Sequence, residues 1–187
     1  MSIERYVKAQ ESVWQQVVEE LSAGKKLTHW SWFIFPQIQG LGESAMSKRY
    51  ALESTDEAAA LWGHPILGPR LRQCIELMLK HEGRFTPQEI LGHIDAVKLR
   101  SCLTLFERAI PAENLFSEAL DHLYHGERDE HTLIIIGHKS LLSRDQKVNH
   151  LLAKISLHKL AKGNQLPRTF VEPRGSMIPF NSKKKSS

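Results

Sequence analysis

The sequence predicts a mainly α fold, a compact multi-helical single domain with a basic C-terminal extension. Three observations carry this reading. Capping residues and glycine or proline stops recur along the chain, with apolar residues at three- and four-residue spacing between them. The chain has 187 residues, of which 41% are hydrophobic and 25% charged, a globular composition. At this length it buries roughly 70% of its unfolded surface and needs no staples. Charge is divided unevenly: residues 1–138 carry 14 Lys/Arg against 19 Asp/Glu (net −5), and residues 139–187 carry 11 against only Asp145 and Glu172 (net +9). The overall charge of +4 therefore comes from the C-terminal part. The expected organisation is a helical domain over residues 3–137, a basic helical extension over 138–162, and a disordered tail over 163–187. That tail holds Pro167, Pro173 and Pro179 and ends in three lysines and two serines.

Ser12 and Gln15 have capping-box spacing, and Val13, Trp14, Val17, Val18 and Leu21 then share one helical face, stopped by Gly24. Lys25 and Lys26 follow near the negative end of that helix. Trp30 to Phe35 is aromatic and β-branched and ends at Pro36, which suggests a short strand or an irregular buried segment. Ser54 and Glu57 open a short helix ending at Gly63. Pro69 suits the first turn of the next, whose stripe is Leu71, Cys74, Ile75, Met78 and Leu79. Thr86, Pro87 and Glu89 supply a cap, a first-turn proline and a capping-box acid. Asp95 is expected to cap a longer helix with Leu99, Cys102, Leu103, Phe106 and Ile110 in register, broken by Pro111. Asn114 is expected to cap another, ended by Gly126. Leu133 to Ile136 is ambiguous between strand and helix end, and Ser143 with Gln146 is a candidate cap for a basic helix carrying Val148, Leu151, Leu152 and Ile155.

Several function classes find no support. Two cysteines, Cys74 and Cys102, both on apolar stripes, argue for a reducing cytoplasm and buried thiols, not a disulfide scaffold. No apolar run is long enough to cross a membrane, and the N-terminus lacks the apolar core of a signal peptide. The nucleotide-cradling and hydrolase motifs are missing, and Gly40-Leu41-Gly42 is the one close glycine pair, more a turn than a phosphate loop. Glu118, His122 and His125 share a helical face, but no second cluster completes a tetrahedral site, so no metal and no cofactor are expected.

The segment richest in chemistry is Thr28 to Gly42, with His29, Trp30, Trp32, Phe33, Phe35, Gln37 and Gln39. Indole rings stack well on flat heterocycles, and glutamine reads their edges. The same aromatics would also serve as a core segment, and the residues alone do not separate the two roles. The basic extension suits nucleic acid or an acidic protein partner, or simply a solvated terminus.

The run HWSWFIFPQIQGLGESAMSKRYAL, then HPILGPRL, then VKLRSCLTLF, resembles the uncharacterised bacterial family catalogued as domain of unknown function 1810. The likeness extends from Tyr6 to about Leu133 and implies a mainly helical single domain without an agreed activity. Some members carry a calpastatin label, which nothing in this sequence supports. A weaker similarity joins Asp95 to Phe106, and Asn114 to Gly126, to the later half of the NADAR superfamily, with Lys98 where its motif lysine falls. That superfamily's link to ADP-ribose metabolism implies an ADP-ribose-like or ribosyl-nucleotide ligand and N-glycosidic hydrolysis. Its glutamate-bearing, tyrosine-rich motif has no counterpart here; Ser44 to Tyr50 occupies the region, with Glu43 just outside. On this reading Glu43 is the candidate catalytic acid, with Asp129 as the other carboxylate that could serve, since an oxocarbenium-like state wants a carboxylate beside the ribose. His29, Trp30, Trp32, Gln37 and Tyr50 shape the base site, and Lys48, Arg49, Arg70 and Lys98 meet phosphates. The alternative is a non-enzymatic binding module acting through the basic tail.

Overall fold

Hydroxyl caps and apolar stripes translate into a succession of helices in the computed structural model, which describes residues 3–140 and residue 148. Their order is α1 (Glu4–Glu11), α2 (Trp14–Ser22), α3 (Ser31–Ile34), α4 (Ala45–Arg49), α5 (Thr55–Trp62), α6 (Leu67–Leu79), α7 (Pro87–Leu91), α8 (His93–Ala109) and α9 (Leu115–Tyr124). Residues 130–140 are helical as well. The protein is mainly α. Its nearest approach to a sheet, among the described residues, is one isolated parallel bridge between Ile38 and Leu52. The chain divides into two units, residues 1–143 and 144–187, and the helices above belong to the first. The expected extension beyond residue 140, with the Ser143 cap and the tail over 163–187, lies outside the described residues apart from residue 148.

Helix α8 is the axis of the core. Its Ala96, Leu99 and the whole run Ser101–Phe106 are buried, as befits a helix surrounded on most sides. α5, α7, α9 and α3 pack against it. One end of the core is an aromatic stack in which Phe116 meets Phe106 at 5.4 Å and Trp62 at 4.8 Å between ring centroids. Another joins Tyr50 to Tyr6 and Phe33 at 5.7 and 5.4 Å. Gly68 lets α5 and α6 turn tightly, because a Cβ there would lie 1.9 Å from the Trp62 carbonyl oxygen. Cys74 and Cys102 are buried and free, and burial pushes both thiols up, so neither is a thiolate at neutral pH. No helix among the described residues is long and apolar enough to cross a membrane.

Several local expectations hold. Ser54 caps α5 by accepting from the Glu57 N–H at 3.2 Å. Thr86 and Glu89 form a reciprocal capping box at α7. Others do not. Ser12 is no N-cap: α1 runs directly into it, leaving its backbone helical (φ −78, ψ −16) where a cap needs an extended one. Asn114 does stand at the N-cap of α9, but its backbone is in the right-handed helical region (φ −78, ψ −19) and its side chain makes no cap hydrogen bond. Asp95 lies inside the first turn of α8, whose N-cap is Gly92 at φ 80, a backbone that favours glycine. The segment expected as a short strand or an irregular buried segment is buried but forms the short helix α3, held from α1 by Gln10 Nε2 donating to the Phe33 carbonyl at 2.8 Å. Its aromatic and β-branched content signals burial, not backbone state. Leu133 to Ile136 is helical, started by Asp129, which accepts from the Thr132 N–H at 2.9 Å.

Candidate functional site

The connection from α2 to α3 carries two tryptophans with different fates. Gly24 ends the turn after α2 with φ +67, and the Lys26 N–H is tied to the Ile90 carbonyl at 2.8 Å, which lays residues 26–30 against the start of α8. Glu20, 6% exposed, reaches out of α2 and gathers this connection. It accepts from the Leu27 N–H (2.8 Å), the Thr28 N–H (3.1 Å), the Thr28 hydroxyl (2.7 Å) and the Trp30 indole N–H (2.9 Å). Burial pushes the Glu20 pKa up, but these hydrogen bonds outweigh it and hold the carboxyl below its ordinary value. Trp30 is thereby a core residue, 1% exposed.

Trp32, two residues on, is half-buried and faces α8 across a groove of about 470 Å³. Lys26, His29, Trp32, His93, Asp95 and Lys98 line it. Asp95 is its centre: Oδ2 pairs with Lys26 Nζ at 2.7 Å and Oδ1 with Lys98 Nζ at 2.7 Å. Burial pushes the Asp95 pKa up, yet the two ammonium groups prevail and hold it below the usual carboxylate value, so it is ionised at neutral pH. The lysines also cap the indoles. Lys98 Nζ lies 4.6 Å from the Trp32 ring centroid and Lys26 Nζ 5.0 Å from that of Trp30. Two ammonium groups share one carboxylate, leaving one excess positive charge beside a half-exposed indole. Such a site suits an anion attached to a flat ring. It does not supply a general acid, because its carboxylate is ionised.

Of the residues singled out from the sequence, His29, Trp32 and Lys98 meet in this groove. Trp30 stands behind it in the core. Gln37 lines a different cavity, with Asp129. Tyr50 is buried among Tyr6 and Phe33, and its carbonyl accepts from the Tyr6 hydroxyl at 2.8 Å, so it is no stacking platform. Lys48 and Arg49 belong to α4, with Arg49 exposed and its guanidinium 5.5 Å from the Tyr50 ring. Arg70 donates to Gln10 Oε1 at 3.3 Å and lies 4.8 Å over Trp14 on the α6 surface. Glu43 is exposed in the loop before α4 and is not among the groove's lining residues.

Lys26, His93 and the central role of Asp95 escaped sequence reasoning. Asp95 and Lys98 at i, i+3 were a readable helix-face pair. Lys26 gave no local signal, because its partner is far along the chain. No group of three or more His, Cys, Asp or Glu that could hold a metal occurs among the described residues. From the histidine-bearing face of α9, His122 instead pairs with Glu82 at 2.6 Å.

No curated protein matches the chain. Among solved structures, it is similar to a conserved hypothetical protein from Mycobacterium tuberculosis, with 44% identity and a TM-score of 0.69 over 72% of this chain and 95% of that one. A family model described as "Protein of unknown function (DUF1810)" matches residues 1–136, nearly the whole helical body built around α8. The chain belongs to that family.

Proposed function

We propose that the protein binds a small anionic ligand built on a flat heterocycle, a ribosyl nucleotide or ADP-ribose-like molecule, in the groove between α3 and α8. The observation that carries this reading is Lys98, which bridges the Asp95 carboxylate and the Trp32 ring from one position. A phosphate arriving at Lys26 and Lys98 meets the excess positive charge, and a base stacked on Trp32 lies beside it. The free, buried thiols suit a cytoplasmic setting for such a ligand. The reading is one of binding. N-glycosidic hydrolysis would require a carboxylate beside the ribose, and the groove's own is Asp95, engaged by both lysines; Glu43 has no such position.

Titration calorimetry of ADP-ribose into the full chain tests this. Saturable binding is expected, with quenching of tryptophan fluorescence, and Lys98→Ala should weaken it about tenfold or more. Equal affinity in Lys98→Ala would remove Lys98 from the phosphate site; no binding by either protein would end the nucleotide reading.

The charge of residues 139–187, 11 Lys/Arg against 2 Asp/Glu, supports a second reading in which that segment contacts nucleic acid. Its affinity would fall steeply with salt, because each neutralised phosphate releases counterions. A chain lacking residues 163–187 that binds equally well would rule it out.

A further inference from the structure

The cavity that Gln37 lines shares no residue with the α3–α8 groove, so a ligand held there is independent of the nucleotide reading. It measures about 360 Å³, within the roughly 300–1,000 Å³ of small-molecule sites. Its walls are largely apolar, with Leu41, Val97 and Ile134 among them, and its polar groups include Gln37, Asp129 and His131. Asp129 is 5% exposed. Its Oδ2 accepts from the Thr132 N–H at 2.9 Å and the Thr132 hydroxyl at 2.6 Å, and its own N–H donates to Thr104 Oγ1 at 2.9 Å, which fixes the side chain. Its Oδ1 has no hydrogen-bond partner among the described residues, and no cationic side chain there pairs with the carboxylate.

Glu20 and Asp95, by contrast, have both carboxylate oxygens engaged. Asp129 Oδ1 is therefore a free acceptor at a largely apolar cavity, and a donor or cation arriving there would complete it. Ser101, also on the cavity wall, does not complete it, since its hydroxyl donates to the Val97 carbonyl at 3.1 Å. We propose that this cavity binds the ammonium or guanidinium head of an organic cation on a short apolar stem. Asp129 Oδ1 accepts from the head, and Leu41, Val97 and Ile134 cover the stem.

The test is a nuclear magnetic resonance titration of the isotope-labelled full chain with butylammonium, with the neutral isostere butanol, and with a short peptide bearing one lysine. Saturable amide shifts around Gln37, Gly40 and Ser101 are expected with the cations and not with butanol. Asp129→Asn keeps an acceptor for Thr132 while removing the charge, and should weaken cation binding roughly tenfold or more. Ile134→Lys, at a position 57% exposed, leaves that cap untouched and sets a competing ammonium at the cavity wall; it should weaken binding as well. Tighter binding of the peptide would assign the cation to a polypeptide side chain, and tighter binding of butylammonium to a free amine; either upholds the cation site. Equal binding of butanol, unchanged affinity in Ile134→Lys and in any folded Asp129→Asn, or no saturable shift would overturn it.

Discussion

Glu20 and Asp95 each set a carboxylate beside a tryptophan, and the two tryptophans are two residues apart, yet the donors differ in kind. Glu20 is surrounded by backbone N–H groups, a hydroxyl and an indole N–H, all fixed by the fold and all neutral. Asp95 is held by the ends of two long lysine side chains. Fixed neutral donors close a site: nothing remains for a ligand, and Trp30 becomes core. Charged donors leave one open, because an ammonium group has three N–H bonds and can keep its carboxylate and still meet a second anion. The contrast explains why one aromatic segment places Trp30 in the core and leaves Trp32 half-exposed on a groove wall.

The comparison breaks most visibly at Glu20. Glu20→Ala would leave four buried or half-buried donors without an acceptor, and should cost about 3–5 kcal/mol in urea unfolding. A loss under about 1 kcal/mol would show that water replaces the carboxylate and that the site is not closed. Acid should act next. Glu20 and Asp95 both have lowered pKa values in the folded state, so the unfolded chain binds more protons at low pH. The stability they contribute is present above their unfolded values of about 4.3 and 3.9 and is lost as pH falls below them. The melting temperature should drop between about pH 5 and 3, and Glu20→Gln should flatten that slope. An unchanged slope in Glu20→Gln would place the acid sensitivity elsewhere.

Lys98→Ala should have a smaller effect, about 1 kcal/mol or less, since Lys26 still holds Asp95. The smallest effect is expected at His122, an exposed residue whose hydrogen bond to Glu82 raises its pKa. Whatever it contributes is present below its ordinary value of about 6.5 and lost as pH rises past it. His122→Ala should leave the melting temperature at pH 8 unchanged; a clear drop there would mean that the α9 face carries more of the fold than its exposure suggests.

The parts of the fold that were legible in the sequence depend on short-range chemistry. Ser54 and Thr86 cap as expected, because their hydroxyls act three residues ahead. Ser12 fails because α1 runs into it, and Asn114, although at the N-cap of α9, lacks the extended backbone from which its side chain could cap. That much of Trp30 to Phe35 is buried was one reading its composition allowed, whereas the hydrogen bond that ties it to α1 comes from a long-range partner, Gln10. In the groove, His29 and Trp32 stood out in the sequence by aromatic density. Lys26 did not, since nothing near it announces Asp95. Arg70 and Tyr50 look like ligand residues by type, but each is taken by a neighbour from another helix: Gln10 and Trp14 for Arg70, Tyr6 for Tyr50.

The division between a closed and an open carboxylate is tested most directly by one set of thermal melts, of the parent chain and Lys98→Ala, each with and without saturating ADP-ribose. A ligand bound by the native state alone raises the melting temperature. The account predicts that Lys98→Ala melts close to the parent without ligand and loses most of the ligand-induced rise. A Lys98→Ala protein that melts far below the parent, or that keeps the full rise, would contradict it.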